Sequence, residues 1–437
     1  MSQFKTSRRQ FLKGSVLSGG AIAFPYVVPA SVFGALAPSN CIVTGCIGTG
    51  GRGTGIMKAA LGESDVQMAA VCDVDSGRRG KARDIVNDKY GNKDCAEYSD
   101  FREMFAKQKL DAVMIATPDH WHALTSIAAA RAGADIYCEK TLVNTVAEGI
   151  ALVKAVKRYG RILQTGSHER SNAKARFAAE LVQNGRIGKL HTVQINLPVS
   201  PGQINSLNDR DTNMHPTMPI PEGFDYDMWL GHTPLEPYTV GRCHGKWRFI
   251  MNYGGGEMTD RGAHVIDQAQ LGCGMDHTTP IEYKAKGKRG NSRLYNTFYD
   301  YTFECRYANG LRMIGTHDEP RGVKFIGENG WVFIHVHGGD LEAEPKSLLA
   351  EKIGPDEKHL GRTTGHHRNF LDAIKTRQAP FAPVEVGHHT ATICHLINIS
   401  MQLDGRTIAW DPTGEQIMND PEANSMLARP MRSPWRL

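Results

Sequence analysis

No acidic residue precedes Glu63 in this 437-residue sequence, and no run of basic residues follows it. The formal net charge is +5, and four of those charges come from Lys5, Arg8, Arg9 and Lys13. The remainder of the chain is therefore near +1 (5 − 4) and lacks the basic stretches that contact nucleic-acid phosphates. We therefore expect no nucleic-acid partner.

The sequence also lacks any pair of cysteines at the C-x-x-C spacing, although it contains 9 cysteines. An odd and scattered set of this kind predicts neither a disulfide framework nor a zinc ribbon. Internal repeats and low-complexity tracts are missing as well. A composition of 41% hydrophobic and 22% charged residues, at this length, predicts an ordinary globular protein of two domains.

The N-terminal segment matches the twin-arginine export signal at Ser7 to Lys13 (SRRQFLK). The apolar stretch that follows, Val16 to Val28, is too short and too interrupted by glycine to predict a transmembrane helix. Residues 1–38 are therefore interpreted as a leader and linker, with cleavage after either Ala30 or Ala37. We expect a periplasmic or other extracytoplasmic protein that uses the twin-arginine export machinery and is not stably inserted in the membrane after processing.

A G-x-G-x-x-G motif joins an apolar, strand-like run (Cys41 to Ile47) to a predicted helix (Thr54 to Leu61). Gly48 permits the tight turn, Gly50 lets the backbone approach a pyrophosphate, and Gly53 lets helix and strand pack closely. The helix N-terminus offers N–H groups to the phosphates. The motif predicts a dinucleotide site, and the residues expected to bind the cofactor here are Gly48, Thr49, Gly50, Gly51, Arg52 and Gly53.

An acidic residue follows the second strand-like run, Val66 to Cys72, at Asp73. A carboxylate at this position accepts hydrogen bonds from the adenosine ribose and repels a 2′-phosphate, so it favours NAD over NADP. Arg78 and Arg79 lie nearby and keep NADP open as an alternative. Asp73 could otherwise serve only to cap the next helix.

The order of elements predicts an α/β protein with an N-terminal Rossmann dinucleotide-binding domain. Strand-like and helix-like runs alternate up to Gly166, which indicates a parallel sheet with crossover helices. From residue 167 to 437 the pattern predicts a second α/β domain with a mostly antiparallel open sheet, because Asn-Gly pairs at Asn309 and Asn329 are hairpin signals. Residues 200–224 are predicted to be an extended loop, and residues 254–271 to contain one continuous helix.

Three further segments carry polar groups at positions suited to catalysis. They are ATPDHWH at Ala116 to His122, CEKT at Cys138 to Thr141, and GGGEMTDRGAH at Gly254 to His264. Together with the glycine motif and Asp73, they resemble in order and spacing the motifs of the glucose–fructose oxidoreductase, inositol dehydrogenase and MocA (Gfo/Idh/MocA) family. The resemblance extends from about residue 41 to 411.

The resemblance implies cofactor contacts and a catalytic group. The implied cofactor-binding residues, beyond the glycine motif and Asp73, are Thr117, Pro118, His122, Glu139 and Lys140. The implied catalytic residues are Lys140, Asp260 and His264. Lys140 follows a strand among apolar residues and could exchange a proton with a sugar hydroxyl, unless it only pairs with a neighbouring acid such as Glu139.

Asp260 and His264 are four positions apart, which predicts that they share one helix face. His264 suits acid–base catalysis near neutral pH, and Asp260 could either bind the substrate or tune His264. Thr141 departs from the family's Glu-Lys-Pro motif, which leaves the pose of Lys140 less constrained. Trp229 and Trp247 could stack on a sugar or on nicotinamide, or could simply pack in the core.

Histidine is plentiful, and pairs occur at His335 and His337, His366 and His367, and His388 and His389. None of these pairs has a third ligand at a characteristic spacing, so they are interpreted as structural or exposed, and no metal site is predicted.

These observations predict an exported NAD-dependent oxidoreductase that acts on a sugar or polyol hydroxyl, with tightly bound cofactor and a dimeric or tetrameric assembly. The alternative is a redox-neutral glycosidase or lyase of the same family that works through a transient keto-sugar. A non-catalytic dinucleotide-binding protein is disfavoured, because Lys140, Asp260 and His264 are all retained.

Overall fold

The computed structural model describes residues 41–208 and 215–437. The predicted leader, residues 1–38, lies outside the described residues. None of the helices in the part of the chain that the structure describes combines the length and the apolar character needed to span a membrane.

The first sheet is built from six strands that alternate with helices, as predicted. The strands are β1 (Ile42–Ile47), β2 (Val66–Cys72), β3 (Ala96–Tyr98), β4 (Ala112–Ile115), β5 (Asp135–Cys138) and β6 (Leu163–Thr165). The helices are α1 (Gly51–Leu61), α2 (Ser76–Tyr90), α3 (Phe101–Lys107), α4 (Asp119–Ala132) and α5 (Val146–Tyr159). Their order in the sheet is β3-β2-β1-β4-β5-β6, and every pairing is parallel. The strand order reverses between β1 and β4, where Rossmann folds bind dinucleotides.

The second sheet follows a short 3₁₀ turn (His168–Ser171). Its strands are β7 (Leu190–Asn196), β8 (Glu282–Arg289), β9 (Phe298–Arg306), β10 (Arg312–Thr316), β11 (Gly322–Gly327), β12 (Gly330–His335), β13 (Glu342–Glu344), β14 (Ile408–Asp411) and β15 (Gln416–Ile417). The associated helices are α6 (Ala173–Gln183), α7 (Pro201–Leu207), α8 (Tyr226–Leu230), α9 (Glu257–Asp260), α10 (Gly262–Cys273), α11 (His366–Thr376), α12 (Val384–Gln402) and α13 (Pro421–Ser425).

The second sheet is mostly antiparallel, which confirms the predicted fold class. Its order is β13-β12-β11-β7-β10-β9-β8-β14-β15. Within the described part of this second sheet, β7 and β10 form the single parallel pair. Both hairpin predictions are confirmed: Asn309-Gly310 connects the antiparallel strands β9 and β10, and Asn329-Gly330 connects β11 and β12. The core on this sheet includes Ile266 of α10 and Ile397 of α12.

Two sequence predictions need correction. The segment from 200 to 224 is not wholly an extended loop, because α7 forms there with a capping box between Ser200 and Gln203. The helix predicted through residues 254–271 is broken at Arg261, so Asp260 ends α9 while His264 lies in α10. The two side chains therefore do not share one helix face.

The C-terminal half also completes the Rossmann domain. Phe370 and Leu371 of α11 are buried in the same hydrophobic cluster as Ile56 and Met57 of α1. Residues 42–437 accordingly form one compact unit. The second half therefore both carries its own sheet and packs α11 against α1 of the Rossmann domain.

Candidate active site

A cavity of about 410 Å³ opens at the carboxyl ends of the parallel strands, where the strand order reverses. It is lined by Ile47, Cys72 and Ala116 at the ends of three strands, and by Lys140 and His264 from the two halves of the chain. Residues of the predicted cofactor site and of the predicted catalytic site therefore meet in one cavity.

The glycine turn has the geometry that the motif predicts. Gly48 has a φ of +80°, and a side chain there would meet the backbone of Ala116 and Thr117 at 2.7 Å. A Cβ on Gly53 would lie 1.7 Å from the carbonyl oxygen of Gly48. Gly48, Gly50, Gly51, Arg52 and Gly53 all line the cavity. The packing of the turn therefore leaves no room for a side chain at Gly48 or Gly53.

Asp73 lies at the end of β2 and faces the cavity, as expected for a ribose-binding carboxylate. One of its oxygens accepts hydrogen bonds from the backbone N–H (2.7 Å) and the hydroxyl (3.2 Å) of Thr49, and the other accepts from the N–H of Asp75 at 2.9 Å. Burial raises the pKa of Asp73, and these N–H donors oppose the shift. Thr49 was predicted to touch the cofactor, but among the described residues it is not part of the cavity lining, and it instead fixes Asp73.

The two arginines near Asp73 have different positions. Arg78 lines the cavity, with its guanidinium 2.8 Å from where a Cβ on Gly50 would lie. Arg79 instead donates a hydrogen bond to the backbone carbonyl of Asp73 at 2.8 Å and pairs with Glu97 at 3.7 Å. Of the two, only Arg78 is therefore placed to approach a 2′-phosphate.

Glu139 and Arg52 form an ion pair of 2.8 Å across the cavity floor. Glu139 is buried, and the hydroxyl of Tyr137 also donates to it at 3.4 Å. Both members of the pair line the cavity. Glu139 therefore connects the end of β5 to the glycine turn, and it is not the partner of Lys140.

Lys140 pairs with Asp260 instead. Its Nζ lies 2.6 Å from Asp260 Oδ1 and 3.0 Å from the Asp260 carbonyl oxygen. Arg248 also donates to Oδ1 of Asp260, at 3.1 Å. Burial opposes ionisation of Asp260, but Lys140 and Arg248 outweigh it and hold the pKa of this carboxyl well below its usual value. Asp260 is thus a charged partner of Lys140 and Arg248.

The turn that presents Lys140 is fixed by hydrogen bonds of Thr141. The Lys140–Thr141 peptide bond is cis, the Thr141 hydroxyl donates to the carbonyl of Thr259, and the Thr141 carbonyl accepts from Nδ1 of His122 at 2.6 Å. The other nitrogen of His122 lies 2.9 Å from the Thr117 carbonyl oxygen. Thr117 and Pro118 line the cavity, whereas His122, within the described residues, does not line it and supports the turn through these two contacts.

His264 lies beside Lys140 in the cavity and is buried. Burial, followed by the charge of Lys140, holds its pKa well below the ordinary value, so the imidazole is neutral at pH 7. His337 is exposed, as the sequence interpretation allows, and it lies near two other histidines: the His264 ring centroid is 4.6 Å from that of His337 and 4.8 Å from that of His168. These three histidines come from separate elements and meet only in the folded chain, so no spacing in the sequence could have indicated the group.

Asp119 is a functional candidate that the sequence motif contained but did not single out. It is the first residue of α4, it is buried, and it lines the cavity. Burial raises its pKa to about 8, although Lys140 and Arg248 act against the shift. The carboxyl group is therefore mostly protonated at neutral pH and can donate a hydrogen bond.

Trp229 and Trp247 are both buried and both line the cavity. They belong to one aromatic cluster, in which the Trp229 ring packs edge-on against Tyr253 at 5.0 Å. The guanidinium of Arg248 lies 4.4 Å from the ring centroid of Trp247. Both rings therefore pack in an aromatic cluster and present surface to the cavity.

Comparison with curated proteins gives partial matches. The chain is 29% identical over 200 residues to a glycosyl hydrolase family 109 protein of Stenotrophomonas maltophilia, covering 44% of this chain and 42% of that protein. It is 29% identical over 259 residues to levoglucosan dehydrogenase of Pseudarthrobacter phenanthrenivorans, covering 55% and 56%. The chain therefore spans about half the length of the curated relatives it matches.

Solved structures resemble the whole described fold. The aldose-aldose oxidoreductase of Caulobacter crescentus, complexed with glycerol, superposes with a TM-score of 0.62 at 20% identity, covering 84% of this chain and 99% of that chain. The WlbA dehydrogenase of Bordetella pertussis, in complex with NADH and UDP-GlcNAcA, gives a TM-score of 0.60 at 18% identity, covering 85% and 99%. At these identities the likeness establishes the fold.

Two family models match nearly the whole described chain. Residues 42–167 match the NAD-binding Rossmann fold of the oxidoreductase family, and residues 172–437 match its C-terminal alpha/beta domain. The chain belongs to the Gfo/Idh/MocA oxidoreductase family, with an NAD-binding Rossmann domain.

Proposed function

We propose that this enzyme oxidises a hydroxyl group of a sugar or polyol, with NAD as the tightly held hydride acceptor. The observation that carries the proposal is the ion pair between Lys140 and Asp260, because its Lys140 member lines, together with His264, the same cavity as the glycine turn and Asp73. A proton-transfer group is thus combined with a dinucleotide site, as an alcohol dehydrogenation requires.

The residues present fit NAD. The Cβ contacts of Gly48 and Gly53 show a backbone turn that only glycine can form, and Asp73 is held in position by Thr49 at the end of β2. Arg52, Thr117 and Pro118 complete the wall beside the turn. When bound, NAD supplies a nicotinamide carbon that takes up hydride from the substrate C–H bond.

Lys140 would first release a proton to solvent, and its neutral Nζ would then take the hydroxyl proton as the C–H bond is broken. Arg248 shares the Asp260 oxygen with Lys140, so the carboxylate keeps a cationic partner while Lys140 is neutral. In the reverse direction, the Lys140 ammonium donates a proton to the carbonyl oxygen. His264, as a neutral imidazole, can hold the same hydroxyl by a hydrogen bond or share its proton.

The cavity walls support a carbohydrate or polyol as substrate. Trp229 and Trp247 offer aromatic surface, while Asp119, Lys140 and Arg248 offer polar groups on the same wall. A ligand with alternating C–H and O–H groups suits such a lining. Relatives named inositol 2-dehydrogenase and levoglucosan dehydrogenase support the same class.

A redox-neutral cleavage is the second candidate, and Asp119 favours it. In that reaction the transient keto group acidifies the neighbouring C–H bond, elimination expels the glycosidic oxygen, water adds, and the hydride returns to the sugar. The expelled oxygen needs a proton donor, and a carboxyl with a pKa of about 8 near Lys140 can provide one. Relatives named glycosyl hydrolase family 109 protein and 2,7-anhydro-N-acetylneuraminate hydratase are consistent with it.

The twin-arginine motif adds the proposal that the enzyme works outside the cytoplasm, with NAD loaded before export. We also propose that the enzyme is a homo-oligomer. Free NAD is scarce outside the cytoplasm, so the cofactor would need a residence time of hours, at the slow end of the range for tight complexes. Such an enzyme must regenerate its NAD within each catalytic cycle, by a second substrate or by return of the hydride.

The test is to purify the mature protein, identify the cofactor released by heat, and assay sugars and polyols without added NAD. The expected result is bound NAD or NADH in nearly every chain and turnover that survives long dialysis. Cofactor-free protein that turns over only with added NAD would overturn retention but keep the dehydrogenase. Protein that turns over no sugar or polyol even with NAD present would overturn the proposed reaction.

A further inference from the structure

Three histidines from separate elements converge at the edge of the cavity. His168 begins the 3₁₀ turn after β6, His264 lies in α10, and His337 follows β12. One ring nitrogen from each of them lies within 4.8 Å of the corresponding nitrogens of the other two. We call this set the histidine triad.

The buried member of the histidine triad has an unfilled hydrogen-bonding position. His264 is 4% exposed, and its Nδ1 has no hydrogen-bond partner among the described residues. Buried polar atoms in native proteins are nearly always paired, so an unpaired one indicates a missing partner such as a ligand or an ion. His168 and His264 also line the cavity, which gives a ligand access to the triad.

The charges around the triad are nearly balanced. The facing cations are each paired with a carboxylate, as Lys140–Asp260, Arg52–Glu139, Arg261–Glu257 and Arg321–Glu257. The carboxylate of Glu169 lies 3.8 Å from Nδ1 of His168 and adds a negative charge on that side. A divalent ion would therefore enter a site with little net positive charge.

We propose that His168, His264 and His337 bind a divalent transition-metal ion of the zinc class, with a coordination position open to the cavity. Imidazole nitrogens suit such ions, and three protein ligands with a free position are the arrangement found at catalytic zinc. Tetrahedral coordination at about 2.0–2.1 Å requires nitrogens about 3.3 Å apart. The present separations of up to 4.8 Å thus require the rings to close by about 1.5 Å (4.8 − 3.3).

The site goes beyond the proposed function, and its existence does not depend on the reaction. Its consequence does rest on that function: a metal ion here would hold a substrate hydroxyl oxygen beside Lys140, and His264 would act as a ligand. The site would also connect the turn after β6 to the loop after β12, and so would join the two halves of the chain.

The test is a titration of Zn²⁺ into untagged, chelator-treated protein, followed by calorimetry, with Co²⁺ as a spectroscopic probe. His337→Asn removes the most exposed ligand, and Asn tolerates the positive φ of +70° at this position. His168→Gln removes the second. The matched control is His335→Asn, because His335 lies two positions away but bonds Glu342 at 2.6 Å.

We expect one Zn²⁺ per chain at micromolar or tighter affinity, and visible Co²⁺ absorption typical of tetrahedral coordination. Each ligand variant should weaken Zn²⁺ binding by at least about tenfold, a loss that even supporting residues of metal sites produce. His335→Asn should bind as the parent does, and all variants should keep the parent's thermal midpoint without metal. Absence of saturable binding, or equal binding by His337→Asn and the parent, would overturn the proposal whatever the turnover assays show.

Discussion

Lys140 and Asp260 are 120 positions apart in the sequence, yet Nζ of Lys140 lies 2.6 Å from Oδ1 of Asp260. One residue follows the fifth strand of the Rossmann sheet and the other ends a short helix of the second half. Each side chain is about one-sixth exposed, at 15% and 17%. Their pairing places the charge of the proposed proton-transfer group at the junction of the two halves, at the wall of the cavity.

Lys140→Met is expected to reduce turnover by about 10²–10⁴-fold, the usual contribution of an acid–base group, while folding and NADH binding persist. Steady-state kinetics together with NADH fluorescence titration would measure both. Lys189→Met is the matched control, because Lys189 is exposed and remote from the cavity lining. A loss below about tenfold would remove Lys140 from the proton-transfer step.

Gly53→Ala is expected to abolish NADH binding and to destabilise the Rossmann domain, because the new Cβ would lie 1.7 Å from the Gly48 carbonyl oxygen. Gly55→Ala, two residues along the same helix, is the matched control. A Cβ at Gly55 would have no described atom within 4 Å apart from its chain neighbours and the nearby backbone of its own helix, so this variant should gain about 0.5–1 kcal/mol of helix stability. NADH titration and thermal unfolding of both variants would check the contrast. Equal NADH affinity and equal thermal midpoints in Gly53→Ala and Gly55→Ala would contradict the close packing of Gly53 against Gly48.

Much of the fold could be predicted because its signals are local. The turn at Gly48 to Gly53, the acid at Asp73 and the Asn-Gly hairpin at Asn309 each depend on residues adjacent in sequence. The partner of Lys140 was not predictable, because the choice of Asp260 over Glu139 is made by tertiary packing. The approach of His337 to His264 also arises only when distant elements meet.

Asp73→Ser is expected to raise affinity for NADPH relative to NADH, because it removes the carboxylate that would repel a 2′-phosphate while Arg78 remains beside the glycine turn. Fluorescence titration with both reduced cofactors would measure the ratio. Arg79→Gln serves as the control, since Arg79 is bonded to the backbone of Asp73 and to Glu97. An unchanged NADPH to NADH ratio in Asp73→Ser would show that Asp73 does not set the preference.

Asp65→Asn is expected to lower the free energy of unfolding at pH 7 by about 2 kcal/mol, with the difference shrinking in acid. Asp65 is nearly buried, and hydrogen bonds from Arg368 and Lys375 lower its pKa from 3.8 to about 2. Because the folded pKa is depressed, the stabilisation is present above pH 3.8 and is lost as the pH falls towards 2.

Denaturant unfolding of parent and variant from neutral pH into this acid range would test the Asp65 prediction. Asp372→Asn is the control, because Asp372 contacts the same Arg368 but is 58% exposed and should contribute little. A difference between parent and Asp65→Asn that stays constant with pH would contradict the assignment.

The most direct test of the proposed function is a single-turnover experiment on the protein as purified. Sugars and polyols are mixed with the holoenzyme without added NAD, and nicotinamide absorbance and fluorescence are followed. At least one sugar or polyol is expected to reduce the bound NAD in the parent, and to do so far more slowly in Lys140→Met with the same bound cofactor. A bound dinucleotide whose redox state no sugar or polyol changes, or equal reduction rates in parent and Lys140→Met, would contradict the proposed function.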